Sequence, residues 1–343
     1  MTDPSSREAQ PRASSGSSVA GPRGSSASGS GPGDEAGPES PTDLSGRSWA
    51  QTLKRAALEF RDDNAGDWAA SLTYYSVLSL FPGLIVLFSL LGVLGQYPET
   101  TDALLDIVRD LGPASAVETL SGPIEDVTRD SGGAAALLGF GLLGAIWSAS
   151  GYLGAFARAS NAIYEVEEGR PFWKMRPQQI GMTLLMIVLL AVLAIALVVS
   201  GPVAEAVGDV VGLGSTAVTI WGIAKWPVMV VIVAFLCAVL FYWAPNVDQL
   251  RFRWISPGSL LAVSAWIVAS GLFALYVANF SSYSATYGSL GGIIVFLLWI
   301  WISNNALLLG QELNAELERQ REIEAGVPGA EEAIQRPPKD PPD

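Results

Sequence analysis

From Gly291 to Gly310 the chain reads GGIIVFLLWIWISNNALLLG, nearly all apolar and without a charge. An α-helix rises about 1.5 Å per residue, so this run matches a hydrocarbon core roughly 30 Å thick. Lipid admits only backbones that satisfy their own polar groups, which restricts a chain of this kind to helices or a closed barrel. The run breaks its apolar rule near one end, at Asn304 and Asn305, and Gln311 and Glu312 follow within two turns. Polarity at that depth marks either helix contacts or a wet path.

Five more runs of similar character precede it, at about 69–95, 133–154, 180–200, 226–244 and 257–278. Six such runs predict an all-α polytopic bundle with six transmembrane helices, forming one membrane domain over 47–320. Half the residues are hydrophobic, 15% are charged, and mean hydropathy is +0.36. The 36 glycines suit close helix packing and the 11 tryptophans suit interfacial anchoring. Residues 1–46 are rich in Ser, Gly and Pro, and 321–343 are acidic and Pro-rich. Segments so poor in large apolar residues are expected to be disordered tails.

Charge sets an expected orientation. Lys54, Arg55 and Arg61 precede the first run, and Arg158, Arg170, Lys174 and Arg176 lie between the second and third. Arg251 and Arg253 separate the fourth and fifth, and Arg319 and Arg321 follow the sixth. The alternate loops hold only Arg109, Arg129 and Lys225. The positive-inside rule then places both termini in the cytoplasm. The acidic loop 96–132 falls outside, where its apolar spacing predicts two short amphipathic helices. Ahead of the first run, Trp49, Leu53, Ala56, Ala57 and Phe60 mark an amphipathic helix that lies on the membrane surface or packs on the bundle.

Several chemistries are excluded or weakened. The chain has no histidine, which removes the commonest metal ligand and general base. Its net charge of −13 argues against a nucleic-acid surface. There is no phosphate-binding lysine loop and no zinc-ligand spacing, so no cofactor, metal or catalytic residue is expected. The one cysteine, Cys237, sits in an apolar run and has no partner for an internal disulfide.

In order, the chain carries DWAASLTYYSVLSLFP (67–82), IWSASGYLGAFARASNAIY (146–164), GRPFWKMR (169–176), APN (244–246) and ALYVANFSSYSATYGSLGGIIVFLLWIWISNNALLLGQELNAEL (274–317). Together these resemble the YihY/virulence factor BrkB family of bacterial inner-membrane proteins, over about residues 50–318. The resemblance implies a six-span protein of the bacterial plasma membrane. Members are often described as transporters, and some carry an older ribonuclease label generally regarded as misassigned. The family has no accepted catalytic residues to carry over. Its sixth span often reads LLWLYLS, where this chain has LLWIWIS and Trp301 at the tyrosine position.

The residues offered for a polar path follow from their types and places. Pro82 interrupts the first run and would kink or break a helix, exposing carbonyls, with Tyr74, Tyr75, Ser76 and Ser79 lining the inner half. Asp67 opens that run, either as a first-turn carboxylate favoured by the helix dipole or as an ion-carrying group. Asn161 reads as a packing or capping amide, or a ligand. Tyr287 belongs to a hydroxyl- and glycine-rich turn, SSYSATYGSLGG, suited to a pore mouth or a tight turn. Asn304, Asn305, Gln311 and Glu312 form the densest cluster. An unpaired amide or carboxylate in hydrocarbon costs several kcal/mol, so these groups are expected to face the bundle interior.

The leading expectation is passage of a small ion or solute across the bilayer; the alternative is a membrane scaffold or envelope protein without flux. A ribonuclease is a weak third. Nothing in the sequence specifies substrate, coupling ion, direction or oligomeric state.

Overall fold

The computed structural model describes residues 46–94, 121–122, 131–198, 215–249, 252, 254–278 and 289–341. The N-terminal tail, most of the acidic loop and the turn holding Tyr287 lie outside the described residues. Among the described residues there are seven helices and no strand. They are α1 (Gly46–Asp62), α2 (Ala65–Leu94), α3 (Ser131–Ile163), α4 (Phe172–Val198), α5 (Ser215–Trp243), α6 (Pro257–Ala278) and α7 (Ser289–Glu324). The described part of each of the six apolar runs lies in one of α2 to α7, to within a residue at the end of α5. Among the described residues, four stretches are long and apolar enough to cross a membrane: Gly139–Ile163, Thr219–Trp243, Pro257–Ala278 and Gly291–Glu324. The fold is an all-α membrane helical bundle.

Helix ends follow local chemistry. Asn64 takes φ 53°, a left-handed conformation that asparagine tolerates well. It ends α1, and its carbonyl accepts the first backbone bonds of α2, from Asp67 and Trp68 at 2.9 and 3.3 Å. At α6, Pro257 occupies the first helical position, where its missing N–H costs nothing. Ser256 before it caps the helix: its Oγ accepts from Ser259 N–H while the Ser259 Oγ accepts from Ser256 N–H, both at 3.0 Å. This is a capping box built from two serines.

From α2 to α7 each helix packs on the next, and α7 returns to α2, so the six close into a ring. The closest crossing is α6 on α7. A Cβ on Gly310 would run into the Gly258 carbonyl oxygen and lie 2.6 Å from Ala262 Cβ. Only glycine lets the two backbones meet there. Asn314 of α7 completes the joint, accepting from Gly258 N–H and donating to Ser256 Oγ, each at 3.0 Å.

The buried core gathers at one end of the ring. Leu72 of α2, Phe156 and Ala159 of α3, Phe241 of α5, Ala262 of α6 and Leu308 of α7 belong to one cluster there. α1 lies against the same end through Ala56, which packs with Leu313 and Leu317 of α7. Leu53 and Ala57, expected on the packed stripe, are exposed, and Thr52 is buried in their place.

The C-terminal segment departs from the expectation of a solvated tail. α7 continues to Glu324, and residues beyond it fold back on the same end, burying Ala330 and Ile334. Val247 and Pro338 form an antiparallel bridge. Few apolar residues are involved. Hydrogen bonds from Arg319 to the Ala330 and Glu331 carbonyls (3.2 and 2.7 Å) and from Arg336 to Glu318 (2.7 Å) hold the segment instead.

Candidate functional site

Three polar systems occupy the packed end of the ring. The first joins α2, α3 and α7. Asn304 is buried; its Oδ1 accepts from the Tyr152 hydroxyl at 3.0 Å and its Nδ2 donates to Thr73 Oγ1 at 3.2 Å. The amide is bonded on both sides to neighbouring helices. Asn305 differs from expectation: it is only partly buried and donates to its own helix, at the Trp301 carbonyl, 2.8 Å away. Adjacent positions differ by about 100° around a helix, which turns the second amide off the interface. Trp301 itself donates its indole N–H to the Gly66 carbonyl at 3.1 Å, tying α7 to the start of α2. Gln311 and Glu312 are fully buried. Neither amide atom of Gln311 has a hydrogen-bond partner among the described residues, nor does Glu312 Oε2.

The second system clasps the loops. Arg170 lies almost entirely buried and forks onto Glu168 at 2.7 and 2.6 Å, with a further bond to the Ala244 carbonyl at 2.9 Å. Burial acts to raise the Glu168 carboxyl, but the hydrogen bonds and charge of Arg170 outweigh it and hold the group below its usual range. Asn161 donates to Glu168 at 3.0 Å and accepts from Asn246 N–H at 2.7 Å. Asn246 pairs with the main chain of residue 340, donating to its carbonyl at 2.7 Å and accepting from its N–H at 3.1 Å. Gly169 has no room for a Cβ because the carbonyls of Asp340 and Pro341 lie against it. GRPF and APN are therefore the two halves of one structural clasp, and Asn161 is its packing amide.

The third system is a cavity of about 190 Å³ between α2, α3 and α4. At on the order of 30 Å³ per water it has room for several waters or a small solute. Tyr75, Ser148, Arg158, Arg176 and Gln179 supply its polar walls, and Leu78 and Trp147 its exposed apolar edge. Gly151 and Gly154 form the α3 side. A Cβ on Gly151 would press the Tyr75 ring at 3.2 Å, and one on Gly154 would press Gln179 Nε2 at 3.1 Å.

The remaining sequence candidates take ordinary places. Asp67 is exposed in the first turn of α2, where a carboxylate suits the dipole. Tyr74 is 63% exposed and meets Tyr75 edge-on. The Ser76 and Ser79 hydroxyls bond carbonyls of their own helix at 2.9 and 2.8 Å. α2 runs unbroken through Pro82, so the broken-helix expectation does not hold. Of the path candidates among the described residues, only Tyr75 reaches the cavity. The sequence had shown Arg158 and Arg176 only as markers of orientation and passed over Gln179. Among the described residues no cluster suited to a metal ion is present.

An apolar helical ring with polar seams defines a membrane protein, and comparison with known proteins supplies the family. The family model described as Virulence factor BrkB matches residues 56–335, and the chain belongs to that family. It is 34% identical over 255 residues to YfkH of Bacillus subtilis (strain 168), a protein named as ribonuclease-like, covering 74% of this chain and 90% of that one. It is 29% identical over 265 residues to a UPF0761 membrane protein of Xanthomonas campestris pv. campestris (strain B100), covering 76% of this chain and 59% of that one. The chain thus spans about three fifths of the Xanthomonas relative. No solved structure matches.

Proposed function

We propose that this protein carries a small ion or solute across the bacterial plasma membrane. The cavity of about 190 Å³ set among α2, α3 and α4 supports this reading, because it places polar groups inside otherwise apolar helices. In the same reading α2 and α4 also cross, giving six spans with both termini cytoplasmic. Purified protein in liposomes, screened for ion and solute flux, tests it. Wild type should carry flux that Gly151→Leu, which fills the cavity wall, abolishes. Flux from neither protein for any solute in the screen would count against transport.

Orientation has its own test. Phe172 and Trp173 are exposed on α4. A cysteine at either position, in a Cys237→Ala background, should resist an impermeant thiol reagent in intact cells and react after permeabilisation. Labelling in intact cells would reverse the topology.

A second reading, a membrane scaffold without flux, draws on Asn304. The best-placed amide of α7 is held from both sides by neighbouring helices, as packing alone would have it. A ribonuclease finds no support in the residues. The purified protein is expected to leave RNA intact, and activity that tracks the protein and vanishes on changing one carboxylate would overturn that.

A further inference from the structure

The cavity is lined by two guanidiniums and no carboxylate. Arg158 of α3 is exposed and makes no ion pair among the described residues; its nearest described partner is the Tyr75 ring, 6.0 Å from the guanidinium carbon. Arg176 of α4 makes two long hydrogen bonds, to Ser150 Oγ at 3.3 Å and Gln179 Oε1 at 3.4 Å. Its Nε is buried without a partner among the described residues. The guanidinium stacks over Trp147 at 4.8 Å and Phe172 at 5.6 Å, which holds its plane in place. Gln179 is buried on the same wall.

Five other arginines at this end are matched, Arg55 with Glu316, Arg170 with Glu168, Arg319 with Glu59 and Glu316, Arg321 and Arg336 with Glu318, while Arg61 is exposed on α1 away from the cavity lining. Two unmatched arginines across one cavity, one with an orphaned buried N–H, make a positive field over a space of solute size. An arginine fork recognises tetrahedral oxyanions through paired N–H donors. The glycines at 151 and 154 keep the α3 wall beside Arg158 low enough for a group to seat.

We propose that Arg158 and Arg176 form a binding site for a phosphate group. This deepens the transport reading and rests on it for the role of the cavity. Two sources share the chemistry: free orthophosphate, and the headgroup of an anionic phospholipid reaching in past exposed Leu78 and Trp147.

The test uses the full chain. Radiolabelled orthophosphate is offered to protein in detergent by equilibrium dialysis. A parallel arm reconstitutes the protein in phosphatidylcholine nanodiscs with or without phosphatidylglycerol and counts retained lipid by native mass spectrometry. Wild type should hold one phosphate or one phosphatidylglycerol. Arg158→Gln and Arg176→Gln should each weaken binding at least about tenfold, as loss of a charge-assisted hydrogen bond predicts. Gly151→Ala leaves both charges in place but crowds the cavity and should weaken it too, which guards against a variant that misfolds. Chloride should not compete.

Binding in detergent assigns the free anion, and binding only in phosphatidylglycerol discs assigns the headgroup. If neither probe binds wild type, or both bind the arginine variants equally well, the site is refuted. Flux of another solute that ignores both arginine changes, together with no phosphate binding, would sink this site and leave transport standing. Phosphate binding lost in the variants, with no flux of any solute, would keep the site and sink transport.

Discussion

Asn304 shows how a polar residue in an apolar run comes to be structural. Its amide has one acceptor and two donors to satisfy, and Tyr152 and Thr73 meet it from two other helices. Interhelical hydrogen bonds of this kind average about 0.6 kcal/mol each in membranes. Asn304→Leu should therefore lower stability by about 1–2 kcal/mol, since it also orphans the Tyr152 hydroxyl. Melting temperature in detergent and cellular abundance should fall together. Asn305→Leu should move neither, because its amide bonds only its own helix. Unchanged stability for Asn304→Leu would contradict this account.

Asp63 offers a second residue-level outcome. It lies in the turn between α1 and α2, and burial, followed by the neighbouring charges of Glu59, Glu165, Asp62 and Glu316, pushes its carboxyl up to about 6. A raised acid favours the protonated form when folded, so its cost is absent below pH 4, appears as pH rises through 4 to 6, and is complete above that. The group is partly exposed, so solvent screening reduces the effect to about 1 kcal/mol. Asp63→Asn should raise the melting temperature at pH 7.5 and leave it unchanged near pH 4. The acidic residues were visible beforehand, but their convergence was not: Glu165 arrives from the turn after α3 and Glu316 from α7.

At the scale of elements, hydropathy located the six long helices because lipid imposes a length and forbids unpaired backbone. It did not locate their ends. α3 and α7 run past their apolar stretches into polar residues, and those of α7 pack on α1, as Glu316 does on Arg55 at 2.7 Å. Hydropathy is blind to such continuation. Nor does it distinguish Pro82 bending α2 from Pro82 breaking it, which depends on what neighbours supply. The α6–α7 crossing depends on glycines whose role emerges only once the helices are paired. Gly310→Val would drive side-chain carbons into the Gly258 carbonyl, and overpacking of this kind costs about 1–3 kcal/mol or more. Its melting temperature should drop well below that of Gly222→Ala on α5, a position with nothing within 4 Å of an added Cβ. Equal melting of the two would remove the crossing from the fold's stabilising contacts.

For the whole molecule, closure of the ring and the gathering of its core at one end were not legible. Both arise from contacts between residues hundreds apart, such as Arg55 with Gln320 at 2.7 Å. The cavity was hidden for a different reason: its two arginines are close in sequence but lie on different helices and read, in one dimension, as loop charges. The C-terminal segment was misjudged because composition predicts burial, and this segment is held mostly by hydrogen bonds. Deleting residues 327–343 should expose Val247, remove the main-chain partners of Arg319 at 330 and 331 and of Asn246 at 340, and lower the melting temperature by several degrees. No change on deletion would mean that the segment is merely laid against the bundle.

The grip of Asn246 on residue 340 carries a consequence of its own. Of residue 340 the amide touches only the N–H and carbonyl, as a neighbouring strand would. The separate contact of its side chain, with Lys174, is an exposed ion pair of little worth. This joint is therefore blind to spelling. Almost any amino acid placed at 340 would be held as well, with proline, which has no N–H to offer, the exception.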